Sequence, residues 1–164
     1  MIHILLNRTL VTFDDKKIAL VPIGGCGNLK HWRTLQLAEQ FEIPYCVLLD
    51  SDKGTPEEQK NIEQIEELRQ DGIKAYVTRK REPENYIHKD CLSLREGNNL
   101  SITDTCDAKV LIANETSTKK SIILETFWTR MTVDQIREME KYSEEGNDRY
   151  EFTEMFSDLL TVAD

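Results

Sequence analysis

Two pairs of carboxylates carry the clearest chemical signal in this sequence. The first is in Leu48-Leu49-Asp50-Ser51-Asp52, where acids two positions apart follow an apolar run. The second is in Arg81-Glu82-Pro83-Glu84-Asn85-Tyr86. Acids placed at strand ends suit a hard divalent cation, because Mg²⁺ takes oxygen ligands and commonly uses one or two carboxylates plus waters. Each pair also has a plainer reading. Asp50 and Ser51 can form a simple turn with Asp52 in solvent. Glu82 and Glu84 can decorate a helix start, where the dipole favours negative charge. Pro83 disfavours helical backbone at Glu82.

Other groups add less. Gly24-Gly25-Cys26-Gly27-Asn28 permits a sharp turn or a close backbone approach to a ligand. It matches neither the dinucleotide fingerprint nor the P-loop, so Gly24 and Gly25 read as a backbone turn near the site. Lys119-Lys120 opens a helical stretch, and a lysine there could stabilise charge developing on a phosphate. His3, His31 and His88 lack ligand spacing, and His88 reads as surface. Cys26, Cys46, Cys91 and Cys106 are widely spaced with no CxxC, which argues against zinc and for free thiols, with Cys46 a core residue.

The elements that must position these residues alternate. Ile18–Ile23 reads as a strand, and Asn28 caps a helix running to Phe41. Tyr45–Leu49 reads as a strand, apolar throughout as if covered on both faces. Thr55-Pro56-Glu57-Glu58 starts a helix with a stripe at Ile62, Ile65 and Leu68, which Asp71-Gly72 ends. Ile73–Thr78 is a third strand. This order argues for a parallel sheet with covering helices. In such a sheet ligands bind at the carboxyl ends of the strands, where Asp50 and Glu82 both fall. Beyond Arg81 the pattern turns helical: one helix from Pro83 to about Leu94, a short one within Thr103–Asn114, another over Ser117–Trp128, one opened by a Thr132/Gln135 capping box, and a last over Tyr150–Leu160. Residues 1–95 form an α/β core, and 96–164 a helical C-terminal part with an acidic tail.

The 164 residues suit one domain with room for a small appendage. No apolar run approaches the roughly 20 residues of a membrane helix, and no signal peptide is evident, which points to the cytoplasm. The net charge is −9, of which −7 falls after residue 137. Phosphates are repelled by such a tail, whereas the front part is nearly neutral and holds the basic cluster Arg79-Lys80-Arg81.

The run from Gly24-Gly25 through Ile43-Pro44-Tyr45-Cys46-Val47-Leu48-Leu49-Asp50-Ser51-Asp52 to Arg81-Glu82-Pro83-Glu84-Asn85-Tyr86-Ile87 resembles the Toprim domain of the OLD (overcoming lysogenization defect) family of ATP-dependent nucleases. The resemblance is good over Met1–Ile87, looser to Ile136, and absent in the tail. It implies a Rossmann-like Toprim parallel sheet with flanking helices. It also implies Mg²⁺ or Mn²⁺ in a two-metal site held by Asp50, Asp52, Glu82 and Glu84, with Lys119 or Lys120 at the scissile phosphate. DNA is the implied substrate, and full-length relatives carry an ATPase domain.

The family's first Val-Glu-Gly motif has no counterpart here: Met1 is followed by Ile2-His3-Ile4-Leu5-Leu6-Asn7, which resembles the helix just after that motif, and no glutamate precedes Glu39. The expectation is a shortened chain with an incomplete site, weak or inactive alone. An exposed sheet edge could then re-pair, dimerise, or use Met1–Leu6 as a substitute strand. The leading functional reading is a metal-dependent DNA endonuclease domain. The alternatives are a non-catalytic Toprim module for DNA or protein binding, and an Asp-x-Asp phosphoryl or glycosyl transferase.

Overall fold

The computed structural model describes residues 3–6, 9–12, 18–19, 21, 29, 40, 43–94 and 99–161. Gly24, Gly25, Cys26 and His31 lie outside the described residues. Of the strand expected over Ile18–Ile23, Ile18, Ala19 and Val21 are described and none is in a strand. Leu29 and Gln40 of the following expected helix are helical.

Among the described residues there are three two-stranded sheets, one of them parallel. Strand β1 (His3–Leu6) pairs antiparallel with β2 (Thr9–Thr12). The family resemblance makes this first stretch helical; it is instead half of a hairpin. Strand β3 (Cys46–Leu49) pairs in parallel with β4 (Lys74–Val77), Leu49 opposite Val77. The fold is therefore mixed α/β; among the described residues one parallel pair stands where a wider sheet was expected.

Helix α1 (Glu58–Gln70) connects β3 to β4. Its first-turn acid and its glycine stop act as the sequence suggests. Gly72 takes φ +80°, its N–H donates to the Arg69 carbonyl, and Ile73 N–H reaches back to Leu68. Ile65 and Leu68 pack with Leu29, Val47, Leu49 and Ala75 in the first core, while Ile62 is only half-buried. The third fully buried position of α1 is a polar one, Asn61. Strand β3 is not covered on both faces: Leu48 is 46% exposed.

The expected Pro83–Leu94 helix is two short 3₁₀ turns, Pro83–Tyr86 and Lys89–Cys91. Side chains compete there for the backbone. Asn85 Oδ1 accepts the Glu82 N–H, and its Nδ2 donates to the carbonyls of Thr103 and Cys106. His88 is extended and its Nδ1 accepts the Asp90 N–H. His88 is also buried, with Nε2 3.5 Å from Glu138, so its surface reading is corrected.

Helix α2 (Ala108–Thr116) is capped by Asp107, whose carboxylate accepts the Val110 N–H. Helix α3 (Ile123–Phe127) lies between 3₁₀ turns at Lys120–Ile122 and Trp128–Arg130. Ile112, Ile123 and Phe127 form a second core with Ile87, Leu92 and Ala108. Helix α4 (Val133–Glu140) begins at the Thr132/Gln135 capping box as read from the sequence.

A hairpin follows that the helical pattern did not suggest: β5 (Lys141–Glu144) and β6 (Asn147–Tyr150), antiparallel. Its two-residue turn, Glu145 at φ +52° and Gly146 at φ +80°, has the left-handed backbone that matches strand twist. Helix α5 (Glu151–Leu160) ends the described chain. Buried Glu140 accepts bonds from the Thr153 N–H and hydroxyl, at 2.7 Å each, in the first turn of α5. Among the described residues no helix is long and apolar enough to cross a membrane.

Candidate functional site

Because β3 and β4 run in parallel, the loops that leave them emerge at one rim. These loops are bonded to each other. Ser51 is buried; its N–H donates to Thr78 Oγ1 at 2.9 Å and its hydroxyl to the Lys80 carbonyl at 2.8 Å. The Asp52 N–H donates to the Arg81 carbonyl at 3.0 Å. The pairing begun by the strands thus continues past their ends, and it carries Asp50 and Asp52 alongside Glu82 and Glu84.

Asp52 takes φ +49°, which aspartate tolerates better than most residues. Asn61 holds it there: its Nδ2 donates to Asp52 Oδ2 at 2.8 Å and to the Asp50 carbonyl at 3.1 Å. Gly54 follows at φ +81°, packed so that a Cβ would sit 3.1 Å from Thr105 Cβ. Its N–H donates to Glu58, which ties the loop to the start of α1.

On the other side, Glu82 Oε1 accepts the backbone N–H of Lys109, in the first turn of α2, at 3.1 Å. The Lys109 ammonium sits 3.3 Å from both Glu82 and Glu84. Glu84 is 3% exposed, and its Oε2 is buried without a hydrogen-bond partner among the described residues. Burial raises the Glu84 carboxyl above its usual range, against the pull of Lys109. Burial alone would lower the Lys109 ammonium, but Glu84 and Glu82 together lift it above the ordinary lysine value.

Asp50 registers the whole group. As a residue it is exposed, yet protein atoms crowd its carboxyl. Desolvation, then repulsion from Asp52, Glu84 and Glu82, pushes it from 3.8 up to about 6, with Lys109 opposing. Asp50 thus lies within electrostatic reach of the other three acids. Their oxygens, the surplus negative charge and the orphaned Glu84 Oε2 suit a hard divalent cation in donor type and charge. As they stand, no three acidic, histidine or cysteine side chains among the described residues are grouped closely enough to hold one ion.

Lys119 and Lys120 are exposed at the 3₁₀ turn before α3, and among the described residues no ion pair joins either to these acids. The lysine at the acids is Lys109, which the sequence reading missed together with Asn61. A cap position at Asp107 followed by a lysine in the first helical turn was the available signal, although it says nothing of distant partners.

The basic cluster is largely neutralised within the chain. Arg79 pairs with Asp104 at 2.6 Å, Arg81 lies 3.8 Å from Asp107, and Lys80 is buried with its ammonium 4.8 Å from the Tyr86 ring centroid.

Residues 1–52 match the family model described as "Overcoming lysogenization defect protein-like, TOPRIM domain". That span includes Asp50 and Asp52 and stops short of Glu82, Glu84 and Lys109. No curated protein matches the chain, and neither does any solved structure. Over its first 52 residues the chain is thereby similar to the Toprim domain of OLD-like proteins, a family of nucleic-acid-related, metal-binding domains.

Proposed function

We propose that this chain supplies the acidic, divalent-metal-binding site of an OLD-like, metal-dependent DNA endonuclease, built on a Rossmann-like Toprim arrangement. The observation that carries this reading is the bonding of the Asp50–Asp52 loop to the segment leading into Glu82 and Glu84 at one strand rim, where burial first, then Asp52, Glu84 and Glu82, raises the Asp50 carboxyl. Such a cluster is unfavourable without a cation and is relieved by one.

In this reading Asp50 and Asp52 hold one Mg²⁺ or Mn²⁺ ion, and Glu82 and Glu84 contribute to a second. When bound, the metal would supply an activated water and charge compensation at the leaving oxygen. The chain's own residues orient the donors. Asn61 fixes the Asp52 carboxylate, and Ser51 locks the two acid loops together. Lys109 tempers repulsion between the glutamates, so the proposal gives it, rather than Lys119 or Lys120, the role of the local cation.

The test is plasmid nicking with Mg²⁺ or Mn²⁺, comparing the chain with Asp50→Ala. Weak cleavage that is lost in Asp50→Ala is the expected result. Robust cleavage that survives Asp50→Ala would reject the site.

The pairing of Arg79 and Arg81 with the chain's own acids leaves less free positive charge for a cleaved phosphate backbone and favours a second reading, a non-catalytic module that binds DNA or a partner protein and cuts nothing. Calorimetry with Mn²⁺ separates the two. No Mn²⁺ binding at millimolar concentration favours the module, and Mn²⁺ binding together with Asp50-dependent nicking favours the endonuclease.

A further inference from the structure

The segment carrying Glu82 and Glu84 lies beyond the end of β4 at Val77. Its geometry depends on side-chain bonds, and two of these come from the far end of the chain. Tyr86 is fully buried, and its hydroxyl donates to Glu151 Oε2 at 2.7 Å while accepting the Lys80 N–H at 2.9 Å. The other oxygen of Glu151 accepts the Arg79 N–H at 2.6 Å. One carboxylate and one phenol therefore satisfy the two successive backbone donors from which the Glu82–Glu84 turn departs.

We propose that Glu151 is a positioning residue for the acidic site, acting through Tyr86 and the Arg79 backbone to fix the segment that bears Glu82 and Glu84. The proposal rests on the metal-binding reading of those acids.

Three further observations support it. Glu151 is the first residue of α5, and that helix end is itself held by Glu140 on Thr153. The Tyr86 ring packs against Phe152, with centroids 4.6 Å apart, so the phenol cannot turn away without breaking a core contact. Tyr86 is fully buried and Glu151 half-buried. The hydrogen bond between them lies in a low-dielectric setting, where such networks are stiff and costly to break. Residues that orient ligating carboxylates from outside the ligand set commonly control metal affinity. The acidic tail, a poor surface for nucleic acid, thereby gains a role as support for the site.

The test uses the full chain with Glu151→Ala, Tyr86→Phe and Glu151→Gln, and Asp50→Ala as the site control. In EDTA, amide hydrogen exchange is followed at Arg79 and Lys80. Exchange is expected to rise about tenfold at Arg79 in Glu151→Ala and at Lys80 in Tyr86→Phe, the scale of one lost hydrogen bond. In Mn²⁺ titrations both variants should bind about 10- to 100-fold more weakly, as for other supporting residues.

Glu151→Gln can still accept from Arg79 and donate to the Tyr86 oxygen, so it should bind close to wild type. Wild-type Mn²⁺ affinity in Glu151→Ala and Tyr86→Phe would overturn the inference while Asp50→Ala still lost binding. Wild-type affinity in Asp50→Ala would instead remove the metal reading beneath it. In that case the exchange data alone would decide whether Glu151 orders the segment.

Discussion

The Asp52 N–H donates to the Arg81 carbonyl at 3.0 Å, which joins the two acid-bearing loops backbone to backbone. With the Ser51 hydroxyl on the Lys80 carbonyl, this makes the loops one unit, so a change in either displaces both acid pairs.

Ser51→Ala tests that unit. The Ser51 hydroxyl is buried and also accepts the Lys53 N–H. Its loss should destabilise the chain by about 1–2 kcal/mol, measured by urea denaturation. Mn²⁺ binding should weaken with it. Unchanged stability would show that the loops are held elsewhere.

Asp50→Asn should stabilise the metal-free chain in a pH-dependent way. The folded-state carboxyl is raised to about 6 from 3.8, so folding favours its protonated form. Its contribution to stability is therefore fully present below about pH 4 and is lost as pH rises through about 6. The residue is exposed, so solvent screening reduces the effect to about 1 kcal/mol. Thermal melts in EDTA should show Asp50→Asn about 2–4 °C above wild type at pH 8 and no gain at pH 4. An equal gain at both values would rule out the coupling.

Lys109→Met removes the cation between Glu82 and Glu84. The metal-free chain should lose about 1–2 kcal/mol, since Lys109 is partly exposed and its partners largely buried. Mn²⁺ should then bind more tightly and restore more of the melting temperature than in wild type, because the competing charge is gone. Weaker Mn²⁺ binding in this variant would mean that Lys109 organises the acids rather than competing for them.

Gly54 and Gly146 share nearly the same positive φ but differ in surroundings. Gly146→Ala meets only backbone strain and should cost about 1 kcal/mol. Gly54→Ala also presses on Thr105 and should cost more, about 2 kcal/mol. Equal melting temperatures would exclude the contact.

Much of the site's frame was legible because it is local. An apolar run followed by Asp-x-Asp, a Pro-Glu-Glu helix start and an Asp-Gly stop fix β3, its loop and α1 within a short stretch of chain. The Thr132/Gln135 pattern likewise placed α4. The hairpin at Glu145-Gly146 was not legible, because its strands are polar and lack the apolar alternation that marks a half-buried strand. Asn61, Lys109, Tyr86 and Glu151 matter through partners distant in sequence, and no spacing rule reaches them. Residues 83–94 failed as a helix because Asn85 turns its side chain to the backbone of Thr103 and Cys106.

The internal pairing of Arg79 with Asp104 and Arg81 with Asp107 bears on how a polyanion would meet this surface. Guanidinium groups already matched to carboxylates displace few condensed counterions from a duplex. Any affinity of this chain for DNA should therefore fall only gently as ionic strength is raised, while chelation should abolish it. A steep salt slope in fluorescence anisotropy would mean that these pairs open to receive phosphates.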